Sequence, residues 1–263
     1  IGYSRKWVGY TFPGGPTQTF VMKLAEAKAG KPATIFHFKG NLGHPVLTQD
    51  ALDDLYFVKV NEREVTITRV YETANGTPET ETIRKRHGLK YMGYPKQSPQ
   101  KGTDQLTASG DRNPKNLVMQ GGFIWFSQAV TVDGRSAVQW HQMRPNGEFV
   151  QTGLISDPKR SFIQTTIAVN RQLDVLVGFQ ETGSDMFISP RFAIRRSGDP
   201  AGTLQPTVSI GEGQGATNGV SWGDYSGSVV DGDNGLDLWT IQSVTDAEGK
   251  GDTVIARVPF KRR

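Results

Sequence analysis

Residues 219–242 read Gly219-Val-Ser-Trp-Gly-Asp-Tyr-Ser-Gly-Ser-Val-Val-Asp-Gly-Asp-Asn-Gly-Leu-Asp-Leu-Trp-Thr-Ile-Gln242. Within this stretch, residues 226–230 alternate small and apolar side chains, as a β-strand does. Residues 231–235 combine glycine with Asp and Asn side chains that bond their own backbone, which is typical of a tight turn. Residues 236–241 then resume the strand pattern.

A second turn at 246–251 leads into another strand-like run at 253–258. Three short strands joined by two turns over about forty residues predict one blade of a β-propeller.

Similar runs recur along the chain. They lie at 7–12, 33–38, 50–60, 64–71, 116–119, 122–127, 137–143, 161–169, 174–179 and 187–195. Residues 20–30 have helical spacing, and residues 73–115 read as a long connection with few apolar residues, unusual inside a compact domain and a candidate place for a site. The sequence therefore predicts an all-β propeller of antiparallel blades, with about five blades' worth of strands in one domain over 1–263.

Composition limits the classes of function. The chain has 263 residues, 31 glycines and a net charge of +4, and its basic residues are spread thinly, which favours solvated loop charge over a nucleic-acid site. Cysteine is absent, so a disulfide framework and thiol chemistry are excluded. No apolar run reaches the roughly 18 residues of a membrane span. The chain starts at Ile1 in a strand-like run, without Met or a signal peptide, which we interpret as a processed or partial chain.

Several segments resemble a known family. Asp233-Asn-Gly235 followed by Trp239 resembles a degenerate Asp-box, the hairpin signature of sialidase-type propellers. Further segments resemble a group of secreted bacterial sialidase-like propeller proteins: 104–112, 138–140, 167–170, 174–179, 196–203 and 222–226. The resemblance covers roughly residues 100–260 and implies a propeller fold and a secreted or extracytoplasmic location. It also implies that an N-terminal part of the ring is missing here or is supplied by another chain.

The best candidate site in the sequence is 222–226. Asp224 and Tyr225 place a carboxylate beside a phenol, and with Asp111 they are the candidate catalytic residues. The structural alternative is that Asp224 caps backbone amides where the strand begins. Trp222 would supply a ring that stacks on sugar.

Other residues complete the predicted ligand and metal sites. The candidate ligand-binding residues besides Trp222 are Arg112, Trp140, His141 and Arg191. Asp231, Asp233 and Asp237 could supply oxygen ligands to Ca²⁺, although Asx-turn capping explains the same spacing. No other cofactor is indicated.

Three hypotheses about function follow. The first is recognition of an extracellular glycan or polysaccharide through stacking rings with Asp and Arg beside them. The second is a glycoside hydrolase or polysaccharide lyase that uses Asp224 or Asp111 with Tyr225, and the third is a non-catalytic scaffold completed by a partner chain.

Overall fold

The computed structural model describes residues 1–12, 18–30, 32–114, 116–218, 222–223 and 226–262. Asp224 and Tyr225 therefore lie outside the described residues. Nearly all regular structure in the described part is strand. No helix among the described residues is long and apolar enough to cross a membrane.

The elements are as follows in chain order. The first are β1 (Gly2–Tyr3), β2 (Trp7–Phe12), β3 (Gln18–Lys23), α1 (Leu24–Lys28), β4 (Ile35–Lys39), β5 (His44–Pro45), β6 (Leu47–Thr48), β7 (Leu55–Val60), β8 (Glu64–Glu72) and β9 (Pro78–Arg86). Then come β10 (Ser98–Gln100), β11 (Thr103–Thr107), β12 (Leu117–Gln120), β13 (Phe123–Val132), β14 (Arg135–Met143) and β15 (Phe149–Ile155). The last are β16 (Ser161–Val169), β17 (Val175–Gly183), β18 (Met186–Arg195), β19 (Val208–Ser209), β20 (Gly227–Val230), β21 (Leu238–Thr245) and β22 (Gly251–Val258).

These elements form two compact units. The first comprises residues 1–88, 116–125 and 142–150, and the second comprises 89–115, 126–141 and 151–263.

The first unit contains an antiparallel sheet in the order β5-β7-β8-β9. A second run of strands follows the order β12-β6-β1-β2-β3-β4, in which β6 pairs in parallel with both β1 and β12. Trp7, Val21, Leu55, Phe57 and Val70 form a buried cluster in this unit. Their burial removes apolar surface from water and so stabilises the unit.

The second unit contains two up-and-down antiparallel sheets, β16-β17-β18-β19 and β20-β21-β22, and the β10-β11 hairpin. It also contains most of β13, β14 and β15, which pair in the order β15-β14-β13. Apolar side chains of the two sheets meet in one cluster, which includes Leu176, Phe192 and Leu238. Next to it lies a buried polar layer. Its hydroxyl and amide groups bond one another, as between Thr166 and Ser228 (2.7 Å).

The all-β class with antiparallel blades is confirmed. The hairpin β7–β8 and the three strands β20, β21 and β22 lie where the sequence places them. The number of blades, the closure of a ring and the single domain over 1–263 stay predictions.

Two predictions about local structure are wrong. The helix over 20–30 shrinks to α1, because residues 18–23 pair with β2 on one side and β4 on the other. This strand alternates buried and half-buried positions, so the pairing outweighs the helical spacing of Phe20 and Leu24. The connection 73–115 holds three strands, β9, β10 and β11. The sequence hides β9 because it is polar on both faces.

Candidate functional site

One face of the sheet β20-β21-β22 forms a pocket. Directly opposed residues of antiparallel strands project to the same face. Val229 faces Trp239, which faces Arg257, and in the next row Gly227 faces Ile241, which faces Ile255. The resulting pocket has a volume of about 500 Å³. We call it the Trp239 pocket. It is lined by Gly227, Val229, Val230, Asp231, Gly232, Asp233, Trp239, Thr240, Ile241 and Ile255.

Gly227 gives the pocket its depth. A Cβ atom built at this glycine would meet only Ile241, at 3.5 Å, an ordinary contact distance. The site has room for a larger side chain, and the missing side chain leaves the gap. The apolar floor remains accessible to solvent, since Val229 is 57% exposed and Ile255 is 64% exposed.

Two contacts orient the Trp239 ring. Its indole Nε1–H donates to Oδ2 of Asp231 at 2.9 Å. The guanidinium of Arg257 lies 5.5 Å from the ring centroid, within the range of a cation–π interaction. Arg257 is itself fixed by Asp237, whose Oδ2 accepts from Nε (2.9 Å) and from one terminal nitrogen (2.6 Å). The ring is therefore held in one orientation by groups of the protein.

The turn that carries Asp231 is built from side-chain caps. Oδ1 of Asp231 accepts from the backbone N–H groups of Asp233 (3.0 Å) and Asn234 (3.2 Å). The side chain of Asn234 accepts in turn from the N–H groups of Leu236 and Asp237. Gly235 closes the turn at a φ of 62°, where a side chain would be strained.

Two carboxyl groups of this turn have lowered pKa values. The pKa of Asp231 lies below the ordinary aspartate value because the charged form accepts from Trp239 and from two backbone N–H groups. The pKa of Asp237 is lowered first by the N–H of Phe260 and then by Arg257. Both carboxylates are thus committed to donors of the protein.

That commitment bears on the predicted Ca²⁺ site. A Ca²⁺ site needs six to eight oxygen ligands that are directed at one point. The carboxylates of Asp231 and Asp237 instead point at N–H groups and a guanidinium. Among the described residues, no group of three or more acidic or histidine side chains is placed to hold a metal ion. Asp231 caps the turn as in an Asx-turn, whereas Asp237 accepts from Arg257 and from the backbone N–H of Phe260. Ca²⁺ binding at Asp231, Asp233 and Asp237 stays a prediction.

The two tryptophans predicted to bind ligand are buried. Trp140 is fully buried, and Gly153 passes so close to its indole that a Cβ there would collide with it. Trp222 is 6% exposed and packs with Ile163 and Ile188. Neither ring presents a face for stacking, because both are covered by other parts of the second unit.

His141 and Arg191 are also enclosed. His141 is fully buried, and its Nδ1 lies 2.9 Å from the hydroxyl of Thr152. Arg191 bonds Glu181 (2.9 Å), Glu212 (3.0 Å), and Ser209 (2.8 Å) besides two backbone carbonyls. Its guanidinium donors are therefore occupied by groups of the protein, and its role in ligand binding stays a prediction.

Arg112 is buried as well. It donates to the carbonyl of Met92 at 3.1 Å, and its guanidinium lies 4.2 Å from the ring centroid of Tyr94. The neighbouring carboxylate of Asp111 accepts from the backbone N–H of Asn113 at 2.9 Å, as in an Asx-turn. Asp111 is half-exposed.

The structure does bring two predicted segments together, at Gln164. This residue lies in a bulge of β16 at a φ of 51° and is not paired in register with a residue of β17. Its N–H donates to the carbonyl of Ser109 at 3.2 Å. A Cβ at Gly223 would lie 2.7 Å from the Gln164 side chain. Ser109, two residues before Asp111, and Gly223, which precedes Asp224 in the sequence, thus lie at the same glutamine.

Sequence reasoning missed Trp239 as the half-exposed ring of a surface pocket. The indole of Trp239 is bound by Asp231 and not by Asp233, the aspartate of the segment that resembles an Asp-box. The available signal was alternation along β21, which places Trp239 and Ile241 opposite to the buried Leu238 and Thr240.

Comparison with known proteins gives structural neighbours only. No protein-family model matches the chain, and no curated protein matches its sequence. An α-L-arabinofuranosidase from Lactobacillus brevis is similar at 7% identity and a TM-score of 0.40, over 99% of this chain and 89% of that one. The GH93 α-L-arabinofuranosidase of Fusarium graminearum is similar at 9% identity and a TM-score of 0.40, over 98% and 95% of the two chains.

A thermostable family-43 glycoside hydrolase is similar at 10% identity and a TM-score of 0.36, over 99% of this chain and 91% of that one. With scores this low, the fold of the present chain rests on its own sheets. The sialidase-like resemblance stays a prediction.

Proposed function

We propose that this protein recognises a glycan at the Trp239 pocket. The observation that carries the proposal is the placement of the five tryptophans. Trp7, Trp125, Trp140 and Trp222 are buried, whereas Trp239 is half-exposed in the wall of the pocket. An oriented indole beside an apolar floor is the kind of surface on which the apolar face of a sugar ring stacks.

The rim of the pocket favours a neutral glycan. Asp231 and Asp233 place two carboxylates at the edge. The oxygens of Asp231 already accept from the protein, so the Asp233 carboxylate is the acceptor for sugar hydroxyls, and both negative charges repel the carboxylate or sulfate of an acidic glycan. A volume of about 500 Å³ lies within the range of small-molecule sites, so the pocket accommodates a short oligosaccharide end.

The first test is a glycan array probed with the wild-type chain, followed by calorimetric titration with the best oligosaccharide. Neutral glycans should bind more strongly than acidic ones. Trp239→Ala removes the stacking wall and should weaken binding at least about tenfold, or ~1.4 kcal/mol. Tyr3→Ala, which removes an exposed ring of the first unit, is the matched control and should bind as wild type.

Because Trp239→Ala also removes the bond to Asp231, a second variant separates binding from folding. Gly227→Val fills the gap in the floor at a position without positive φ and suits a strand. It should keep the melting temperature and lose binding. A Gly227→Val chain that binds every array hit with wild-type affinity contradicts the proposed pocket.

A glycoside hydrolase is the second candidate. The observation that favours it is that Ser109 and Gly223, which are close in sequence to Asp111 and Asp224, both lie at Gln164. If Asp111 and Asp224 act as an acid and its partner there, wild-type chain should release sugar from an oligosaccharide panel, and Asp224→Asn should abolish release. Binding without turnover leaves recognition as the function.

A further inference from the structure

Strand β9 presents an open edge. It is the outermost strand of β5-β7-β8-β9, and among the described residues no strand pairs with its other side. It reads Pro78-Glu-Thr-Glu-Thr-Ile-Arg-Lys-Arg86, and every residue after Pro78 is exposed. An edge of this length is a template for pairing with another strand.

The hydrogen bonds at its ends show which backbone groups are available. The N–H of His87 donates to Arg63 (3.1 Å), and the N–H of Thr73 donates to Thr77 (2.9 Å). The register between these two bonds is unbroken. Bonded and non-bonded positions alternate along an antiparallel pair, so the odd-numbered residues of β9 bond β8. The N–H and C=O groups of Thr80, Thr82, Arg84 and Arg86 therefore point away from the sheet.

We propose that β9 pairs in antiparallel fashion with β9 of a second copy of this chain, with Ile83 at the two-fold axis. In this register Ile83 faces Ile83 of the second copy, and Glu81 faces Lys85 of the second copy. Thr82 faces Arg84 of the second copy, and these outward residues exchange backbone hydrogen bonds. The two sheets join into one continuous sheet.

Charge order along β9 argues for this occupant. The acidic residues Glu79 and Glu81 precede Ile83, and the basic residues Arg84, Lys85 and Arg86 follow it. Antiparallel self-pairing brings the acidic half of each strand against the basic half of the other, and opposite charges across a pair are stabilising. A parallel pairing would place like charges together.

Glu81 already has one partner. It lies 3.0 Å from Arg69, and the two side chains are 58% and 39% exposed. An exposed pair of this kind contributes little, so the carboxylate can bridge Arg69 and Lys85 of the second copy. Ile83, which is 39% exposed, loses its water contact on pairing.

The chain has no cysteine, so a single introduced thiol reports on pairing directly. Opposed residues that do not share backbone bonds have Cα atoms about 4.5 Å apart, within reach of a disulfide. With oxidised glutathione, Ile83→Cys should form a covalent dimer. Val150→Cys is the matched control, because Val150 is 43% exposed on β15, an edge strand without charged residues.

Light scattering on the wild-type chain should give twice the monomer mass at micromolar concentration. Lys85→Glu should weaken the dimer about tenfold by facing Glu81 with a like charge in both symmetry-related pairs. The exchange Glu81→Lys with Lys85→Glu should restore it. A monomeric wild-type chain, or cross-linking of Ile83→Cys no faster than Val150→Cys, overturns the proposal and makes the charges of β9 a guard against pairing.

Discussion

At the scale of the residue, Asp231 holds both the turn and the ring of the candidate site. One carboxylate oxygen caps the turn between β20 and β21, and the other accepts the indole N–H of Trp239. A single side chain thus couples the shape of the turn to the orientation of the ring. The same coupling explains the lowered pKa of Asp231, because all three donors stabilise the charged form.

The pH dependence of the turn follows from that shift. The pKa of Asp231 is lower in the folded chain than in the unfolded chain, so its stabilising effect is complete above the ordinary aspartate pKa. The effect is lost as the pH falls through the lowered value. We expect the nuclear magnetic resonance signal of the Trp239 indole proton to shift in this acid range. Asp231→Asn, which has no charge to lose, should remove that step.

Residue type alone could not identify the exposed ring. Trp140 and Trp239 each follow a turn aspartate in the sequence, yet Trp140 is fully buried and Trp239 is half-exposed. The difference arises from what covers each sheet face. In the case of Trp140 it is the backbone of Gly153, and no local pattern encodes that contact.

At the scale of the element, tightly packed strands leave no space for a side chain at some of their glycines. Gly178 lies in the middle of β17, where the polar layer crosses it. A Cβ there would lie 2.5 Å from Oγ1 of Thr240, 2.6 Å from Nε2 of Gln242 and 2.8 Å from Oγ1 of Thr166. Nε2 of Gln242 donates to the hydroxyls of both Thr166 and Thr240, so none of the three groups can move without breaking a buried hydrogen bond.

Gly178→Ala should therefore destabilise the chain by about 2 kcal/mol, as overpacking of a well-filled interior does. Urea denaturation followed by fluorescence measures the change. Gly198→Ala is the control, since a Cβ at Gly198 meets nothing within 4 Å and the residue has no positive φ. That variant should stay within about 0.5 kcal/mol of wild type, and equal losses for both would contradict the packing argument.

The elements also show which sequence patterns were sufficient to predict a strand. The strands β16, β17 and β21 were predictable because turn residues bound apolar or alternating runs. Strand β9 was not, because both of its faces are polar and its place is set by pairing with β8. Strand β3 was misassigned for a related reason, since its place is set by pairing with β2 and β4 and its own residues have helical spacing.

At the scale of the whole molecule, the sequence was sufficient for the all-β class and for the antiparallel blades. For the site, most of the predicted residues that the structure describes are enclosed, whereas the Trp239 pocket lies on an exposed sheet face that no local pattern marks. The predicted site residues Asp224 and Tyr225 lie outside the described residues, so their role stays a prediction.

The most direct measurement uses all five tryptophans of the chain together. Acrylamide quenching separates accessible from shielded indoles, and the structure predicts one accessible ring, Trp239, beside four buried ones. Trp239→Phe should remove the accessible component of the free protein. Saturation with the bound glycan should protect that component in the wild-type chain. Quenching that is unchanged when the glycan is saturating would contradict recognition at the Trp239 pocket.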